Sequence, residues 1–490
     1  LPTILTALDE HAATRPGALA LDDIGYAALR DISLRVAAYF AERGVVSGDR
    51  VAIYSENRPG FVFAYIGALR AGAIVVPVNV LYRSSDLAHV LSDAEPRVLC
   101  VSDASAEFAP ANGPETIVNL GDIEALARAT TPTDAVVVPD IDTAATALII
   151  YTSGTTGRSK GAALSHANLR AIADALVDAW RWTDADTLLL MLPLFHVHGL
   201  GAGLNGTLVA GGRVLLRERF DAGIAIATLA AGEATMFFGV PTMYVRLLEN
   251  AKPGEQFGRV RLFVSGSAAL PATVHEEFAQ RFGVSILERY GSTEFGFALS
   301  NRYDGPRFAG TVGFPLPHVE VRLANPDGSD APAGEAGEIL VRGPNVFGGY
   351  WRNDAATRDA FHGDWYRSGD LGTFDAERGY AIAGRLKELV ISGGFNIYPI
   401  EVETELLRLP GIRAAAVVGE PNAARGEVPV AFIESGDDFD EKAALATLRE
   451  RLASFKVPKA LYRIEALPRN AMGKVEKPKL REMLAAKATT

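Results

Sequence analysis

VAIYSENRPGFVFAYIGALRAGAIVVPVNV, residues 51–80, begins and ends in short apolar runs, VAIYS and AIVVPVNV. Between them lies an alanine-rich stretch, residues 61–73, whose apolar spacing suits a buried helix, so the segment reads as strand, helix, strand. The same rhythm returns in LLLMLPL (188–194), RVLLRE (213–218), ATMFFGV (234–240) and RLFVSGSA (261–268), each followed by a turn or a helical stretch. Such repetition favours open, largely parallel sheet flanked by helices, with ligands gathering at strand ends. Past residue 311 the texture changes to GTVGFPLPHVEVRLANPDGSD (310–330) and GEILVRGPNVFGGYW (337–351), β-rich runs separated by Pro, Gly and Asp-Gly turns. From residue 386 onward, a helical pattern over 402–409, the strand AAAVVGE (414–420), a helical pattern over 442–452 and a basic final segment form a compact α+β unit. The expected fold is therefore α/β. A large N-terminal domain, residues 1–385, holds flanked mixed and parallel sheets plus a β-rich subdomain, and a small α+β C-terminal domain spans residues 386–490.

Bulk properties narrow the function. A chain of 490 residues exceeds one ordinary core, so two or more domains are expected. The formal net charge of -11 argues against a broad nucleic-acid surface while leaving room for a local basic patch that attracts a polyanionic cofactor. No run of 18 apolar residues predicts a membrane span. Residues 1–15 include Asp9 and Glu10 and lack a basic region followed by an apolar one, so no signal peptide is expected there. The single cysteine, Cys100, excludes an internal disulfide and a cysteine-rich metal site; a reducing, cytoplasmic setting is expected. No segment announces an obligate protein partner.

The apolar run ending at residue 151 opens into IIYTSGTTGRSKG, residues 149–161. Small residues let backbone N–H groups approach an anion, the hydroxyls of Ser153, Thr155 and Thr156 add donors, and Lys160 adds a positive charge. The P-loop pattern fails, because Ser159 stands where its second glycine belongs and Gly161 where a Ser or Thr should follow the lysine. Alone, the stretch is either an unusual phosphate loop or an ordinary Gly/Thr turn.

Taken with ERYGSTE (288–294), WYRSGDLG (365–372), GRLKELVISGGFNIYP (384–399) and PRNAMGKVEK (468–477), the loop resembles the motif series of the adenylate-forming superfamily of acyl-CoA synthetases, adenylation domains and luciferases. The resemblance covers almost the whole chain and implies ATP, Mg2+ and CoA. It assigns Thr152, Ser153, Gly154, Thr155, Thr156, Gly157 and Lys160 to the ATP phosphates, Tyr290 and Gly291 to the adenine side, and Asp370 and Arg385 to the ribose. It gives Thr293 a phosphate contact, Glu294 the metal, and Lys474 the role of catalytic lysine bridging the carboxylate and the α-phosphate. In this family the small C-terminal domain is mobile. Lys387 falls at the hinge position, and Gly393 and Gly394 fall in the loop that approaches the thiol carrier. Ser159 replaces a proline usual in the family.

Substrate choice points to a small acid. PLFHVHGLG (193–201), GVPTMYVRL (239–247) and SGSAAL (265–270) are similar to the pocket segments of malonyl-CoA synthetases. His196, His198, Arg246, Ser265, Gly266, Arg289 and Phe297 are the candidate acid-binding residues, with Arg289 suited to the distal carboxylate of malonate or methylmalonate. Ser292, in place of the methionine of YGMTE, and the bulky Phe297 depart from that group and leave another short or an aromatic acid open, with delivery to CoA, an amine or a carrier protein.

Overall fold

The opening segment forms strand Arg50–Tyr54, helix Pro59–Arg70 and strand Ile74–Val78, the strands parallel with Val51 beside Val75. Pro59 sits in the helix's first turn, where an N–H has no helical partner anyway. Residues from Gly60 to Arg70 are all buried, so the helix needs no polar face. Arg70, the cation in that row, is held by the Asp9 carboxylate at 2.7 Å and donates to the Ser33 hydroxyl at 2.8 Å. The computed structural model describes residues 2–109, 113–129, 136–152, 159–422, 425–436, 439–470 and 473–488.

Around this unit stands a seven-stranded sheet. Its parallel strands include Val98–Val101, Thr116–Asn119 and Thr146–Thr152, and Lys160–Ser165 and Gly349–Tyr350 complete it in antiparallel pairing. The second series of apolar runs builds a separate nine-stranded sheet whose centre is parallel: Leu287–Tyr290, Leu262–Ser265, Met236–Gly239, Thr187–Leu190 and Arg213–Leu216, in that spatial order. After LLLMLPL the glycine-rich His198–Asn205 winds as a wide π-helix, fully buried.

The β-rich region is a five-stranded antiparallel sheet: Glu320–Ala324, Gly337–Arg342, Trp365–Asp375, Phe361–His362 and Gly379–Arg385. A short turn, Leu386–Glu388, follows it. Beyond lies a last sheet with long strands Ile412–Asn422 and Gly426–Ser435. Their residues alternate between two cores, Val417, Ala431 and Ile433 packing with Val402 and Leu448 on one face, and Val418, Val430 and Phe432 with Leu480 and Leu484 on the other. Helices Pro399–Leu407 and Glu441–Arg451 cover the first face, close to the helical patterns read at 402–409 and 442–452, and the basic tail forms helix Lys477–Ala488 on the second.

Candidate active site

Three parallel strands of the nine-stranded sheet end side by side, with Gly239 beside Ser265 and Ser265 beside Glu288. The carboxyl ends of such strands form a natural crevice, and ERYGSTE crosses it. Successive side chains of a strand face opposite ways, so Arg289 and Tyr290 serve different neighbours.

Tyr290 meets the antiparallel sheet. In the hairpin of Trp365–Asp375 and Gly379–Arg385, Asp370 lies opposite Arg385. The Tyr290 hydroxyl donates to Asp370 Oδ2 at 2.7 Å, and Arg385 Nε approaches Asp370 Oδ1 at 3.0 Å. Burial, reinforced by the Asp370 charge, raises the Tyr290 phenol well above its ordinary range and keeps it a donor. Four residues on, Glu294 is equally constrained: Ser292 donates to its Oε2 at 2.8 Å and Tyr350 to its Oε1 at 2.9 Å. Lys160 places its amino group 5.1 Å from the centre of the Tyr350 ring, and Thr152 pairs with Lys160 across the adjoining strands. Tyr350 thereby ties the end of the glycine-hydroxyl loop to Glu294. Thr293 is buried beside it. Ser153, Gly154, Thr155, Thr156 and Gly157 lie outside the described residues.

This donor set suits Mg2+. Among the described residues no cluster of three or more His, Cys, Asp or Glu could hold a metal. Mg2+ is commonly bound by only one or two carboxylates together with nucleotide phosphates, and a single oriented carboxylate such as Glu294 fits that pattern.

Lys474 comes from the far end of the chain. Its backbone N–H donates to Asn470 Oδ1 at 3.0 Å, and Arg469 donates to the Gly473 carbonyl at 2.9 Å. Burial, with the neighbouring Arg385 cation, pulls the Lys474 amine down to about 8, against the opposing pull of Glu388 and Asp370. The lysine is therefore within electrostatic range of Asp370 and Arg385. Next to it, Lys477 bridges Glu388 at 3.0 Å and Glu403 at 2.8 Å.

On the other side of ERYGSTE, Arg289 lies in a slot. Its guanidinium carbon is 4.4 Å from the centre of the Phe297 ring. At Gly266 an added Cβ would fall 2.4 Å from that same carbon. Arg289 is only 5% exposed, and its Nε and Nη2 find no hydrogen-bond partner. Burial draws the guanidinium down to about 9. The hydroxyl of Ser265 and Nε2 of His198 are likewise buried and bare, while His198 Nδ1 lies 3.4 Å from the Ser267 hydroxyl. His196 Nδ1 accepts from the His198 backbone N–H at 3.2 Å. Burial, with the Arg289 charge, lowers His196 to about 4 and His198 well below its ordinary range, so both imidazoles are neutral at pH 7.

Arg246 stands outside this slot. Tyr244, Leu247 and Leu248 take the inner face of helix Pro241–Asn250, and residue 246, half a turn round from Tyr244, is exposed with its guanidinium over Phe220. Lys387 is exposed in the turn Leu386–Glu388, and Gly291 packs tightly on the backbone of Gly296. Gly393 and Gly394 have φ of 58° and 85°, making the exposed turn of the hairpin Val390–Ser392/Phe395–Ile397, a conformation that glycine adopts without strain. Tyr350 and Ser267 join the site without having been singled out in the sequence, and Ser292, read there only as a departure from the usual methionine, joins it through Glu294. Tyr350 lay within GPNVFGGYW, but only tertiary contact reveals its partner.

A family model described as AMP-binding enzyme matches residues 8–351, and one described as AMP-binding enzyme C-terminal domain matches residues 401–474. The chain belongs to the AMP-binding enzymes. Feruloyl-CoA synthase from Amycolatopsis sp is 36% identical over 488 residues, covering 98% of this chain and 97% of the relative. Malonate-CoA ligase from Mus musculus is 34% identical over 482 residues, covering 90% of this chain and 82% of its own. Among solved structures, ATP-bound MatB from Rhodopseudomonas palustris superposes with a TM-score of 0.92 at 38% identity, covering 98% of each chain. As an AMP-binding enzyme of this branch, the chain is an AMP-forming acyl-CoA synthetase, an acid-CoA ligase acting through an acyl-adenylate with ATP, Mg2+ and CoA. No helix among the described residues is long and apolar enough to cross a membrane.

Proposed function

We propose that the acid is a small dicarboxylate, malonate or methylmalonate, and that Arg289 pairs with its distal carboxylate. The observation that carries this reading is a buried guanidinium with two bare N–H groups and no ion pair among the described residues. A cation so placed calls for an anion, since an unpaired buried charge is costly and a charge-assisted bond to one is strong. Ser265 and the neutral His198 supply further polar atoms.

The proximal carboxylate attacks the α-phosphorus of ATP, the bond to the β-phosphate oxygen breaks, and pyrophosphate leaves. Lys474 offsets charge between the two approaching anions, Asp370 and Arg385 hold the ribose side, Tyr290 and Gly291 flank the adenine, and Lys160 and Thr293 serve the phosphates. Mg2+ held by Glu294 would neutralise phosphate charge. In the second step the CoA sulfur attacks the acyl carbonyl, its proton is lost, and AMP leaves with the bonding pair. For that step residues 386–490 act as a mobile unit turning at Lys387, bringing the Gly393–Gly394 turn to the thiol.

Pyrophosphate release measured over malonate, methylmalonate, sulfoacetate, butyrate and ferulate, with and without CoA, tests the reading. Highest kcat/KM for malonate or methylmalonate, with CoA-dependent AMP release, is expected. Preference for butyrate or ferulate removes the dicarboxylate proposal.

A further inference from the structure

The glycine preceding Lys474 rests on helix Pro241–Asn250. A Cβ built on Gly473 would lie 3.1 Å from Thr242 Oγ1 and 3.6 Å from its Cγ2. Thr242 is the second residue of helix Pro241–Asn250, and two residues later Tyr244 turns inward, donates to the Val264 carbonyl at 2.6 Å and interacts electrostatically with Arg289. Around Lys474, Arg469 donates to the Gly473 carbonyl, the Lys474 N–H to Asn470 Oδ1, and the Gly473 N–H to the Asn470 carbonyl at 2.8 Å. These bonds tie Gly473 and Lys474 to Arg469 and Asn470. The approach of this segment to the N-terminal lobe is then set by what it rests on, and a side chain at 473 meets the Thr242 methyl and hydroxyl first.

We infer that Thr242 is a positioning residue, the seat on which Gly473 docks to hold Lys474 in the adenylation geometry. The inference rests on Lys474 as the adenylation lysine. Seating the lysine on the helix whose Tyr244 lies within electrostatic range of Arg289 makes productive closure depend on that helix's placement.

A double-mutant cycle separates the seat from other effects. Gly473→Ala adds the Cβ, and part of its cost is backbone strain at φ 72°. That strain is common to every Thr242 background, whereas the contact is not. Adenylate formation, followed as a single-turnover pyrophosphate burst, is expected to fall about 10-fold or more in Gly473→Ala, while thioester formation from supplied acyl-adenylate changes less than about 2-fold. Adding Thr242→Ala removes both contacted atoms and is expected to recover adenylation to within about 3-fold of the Thr242→Ala reference. Adding Thr242→Val keeps the volume and recovers nothing. Thr242→Leu in the Gly473 background, which raises the seat, lowers adenylation alone and serves where Gly473→Ala does not fold. Equal rescue by Ala and Val, no rescue by Ala, or equal loss of both half-reactions overturns the seat. Lys474→Ala with unimpaired adenylation overturns the underlying assignment of the lysine instead.

Discussion

Replacing Arg289 by alanine removes the buried cation of the proposed acid slot. In the native protein two of its N–H groups are bare, and each charge-assisted bond to a carboxylate contributes about 1.5–3 kcal/mol. The alanine variant also lets water into the space between Gly266 and Phe297, which offsets part of the loss. A net reduction of about 2–4 kcal/mol in transition-state stabilisation follows, equivalent to roughly 30- to 1,000-fold in kcat/KM for malonate. Butyrate has no second charge and is expected to decline far less or to improve. The assay is pyrophosphate release at saturating ATP, with the ATP KM measured alongside, because the neighbouring Tyr290 holds Asp370 at 2.7 Å and a disturbed strand would reach the nucleotide. Arg289→Lys keeps a point charge but not the planar fork and should fall between the two. Equal losses for malonate and butyrate, with an unchanged ATP KM, refute the pairing.

Gly266→Ala puts a Cβ where the Arg289 guanidinium lies, so KM for malonate should rise about 10-fold or more while KM for ATP stays near native; steady-state kinetics in each substrate decide it. Lys474→Ala should cost adenylation on the order of 100-fold and spare thioester formation from supplied acyl-adenylate, measured by rapid quench. With its pKa lowered to about 8, Lys474 loses its proton as pH rises through that value, so adenylation kcat/KM should fall above about pH 8. Lys474→Arg, protonated throughout, should lack that alkaline limb even if slower, and a limb unchanged in this variant assigns it to another group. Lys387→Pro fixes φ at the turn Leu386–Glu388 and is expected to unbalance the two half-reactions; unchanged rates in both remove Lys387 as the pivot.

Local rules made much of the fold legible. Residues 51–80 specify their strands and helix by apolar runs and a proline start, and alternation at Val417 and Val418 or Val430 and Ala431 specifies a sheet packed on both faces. What the sequence did not reveal depends on tertiary register. Nothing local says that the parallel strands divide between two sheets, or that His198–Asn205 winds as a wide helix. In the site, motif residues such as Asp370 and Arg385 meet because a hairpin sets them opposite each other. Arg246 read as a candidate second cation beside Arg289, yet helical phase turned it outward. Ser292 read as a departure from the usual methionine; its hydroxyl bonds to Glu294.

The competition between a dicarboxylate and an aromatic acid turns on what the Arg289 slot already contains. A flat ring entering beside Phe297 would gain apolar contact, and stacking on the guanidinium would contribute about 0.5–2 kcal/mol. Phe297 and Gly266 already crowd that guanidinium, and its Nε–Nη2 edge carries bare N–H groups. An apolar ring against that edge would leave both donors unsatisfied, at about 1–3 kcal/mol each. A carboxylate reverses the sign by accepting them. The neutral His196 and His198 add no compensating negative charge, and Tyr244 spends its hydroxyl proton on the Val264 carbonyl. Removing the edge should therefore shift preference rather than abolish turnover: Arg289→Leu, apolar and uncharged, is expected to narrow the ratio of malonate to ferulate kcat/KM by about 100-fold. A ratio that stays at the native value would mean that the guanidinium faces no part of the acid and that another group selects it.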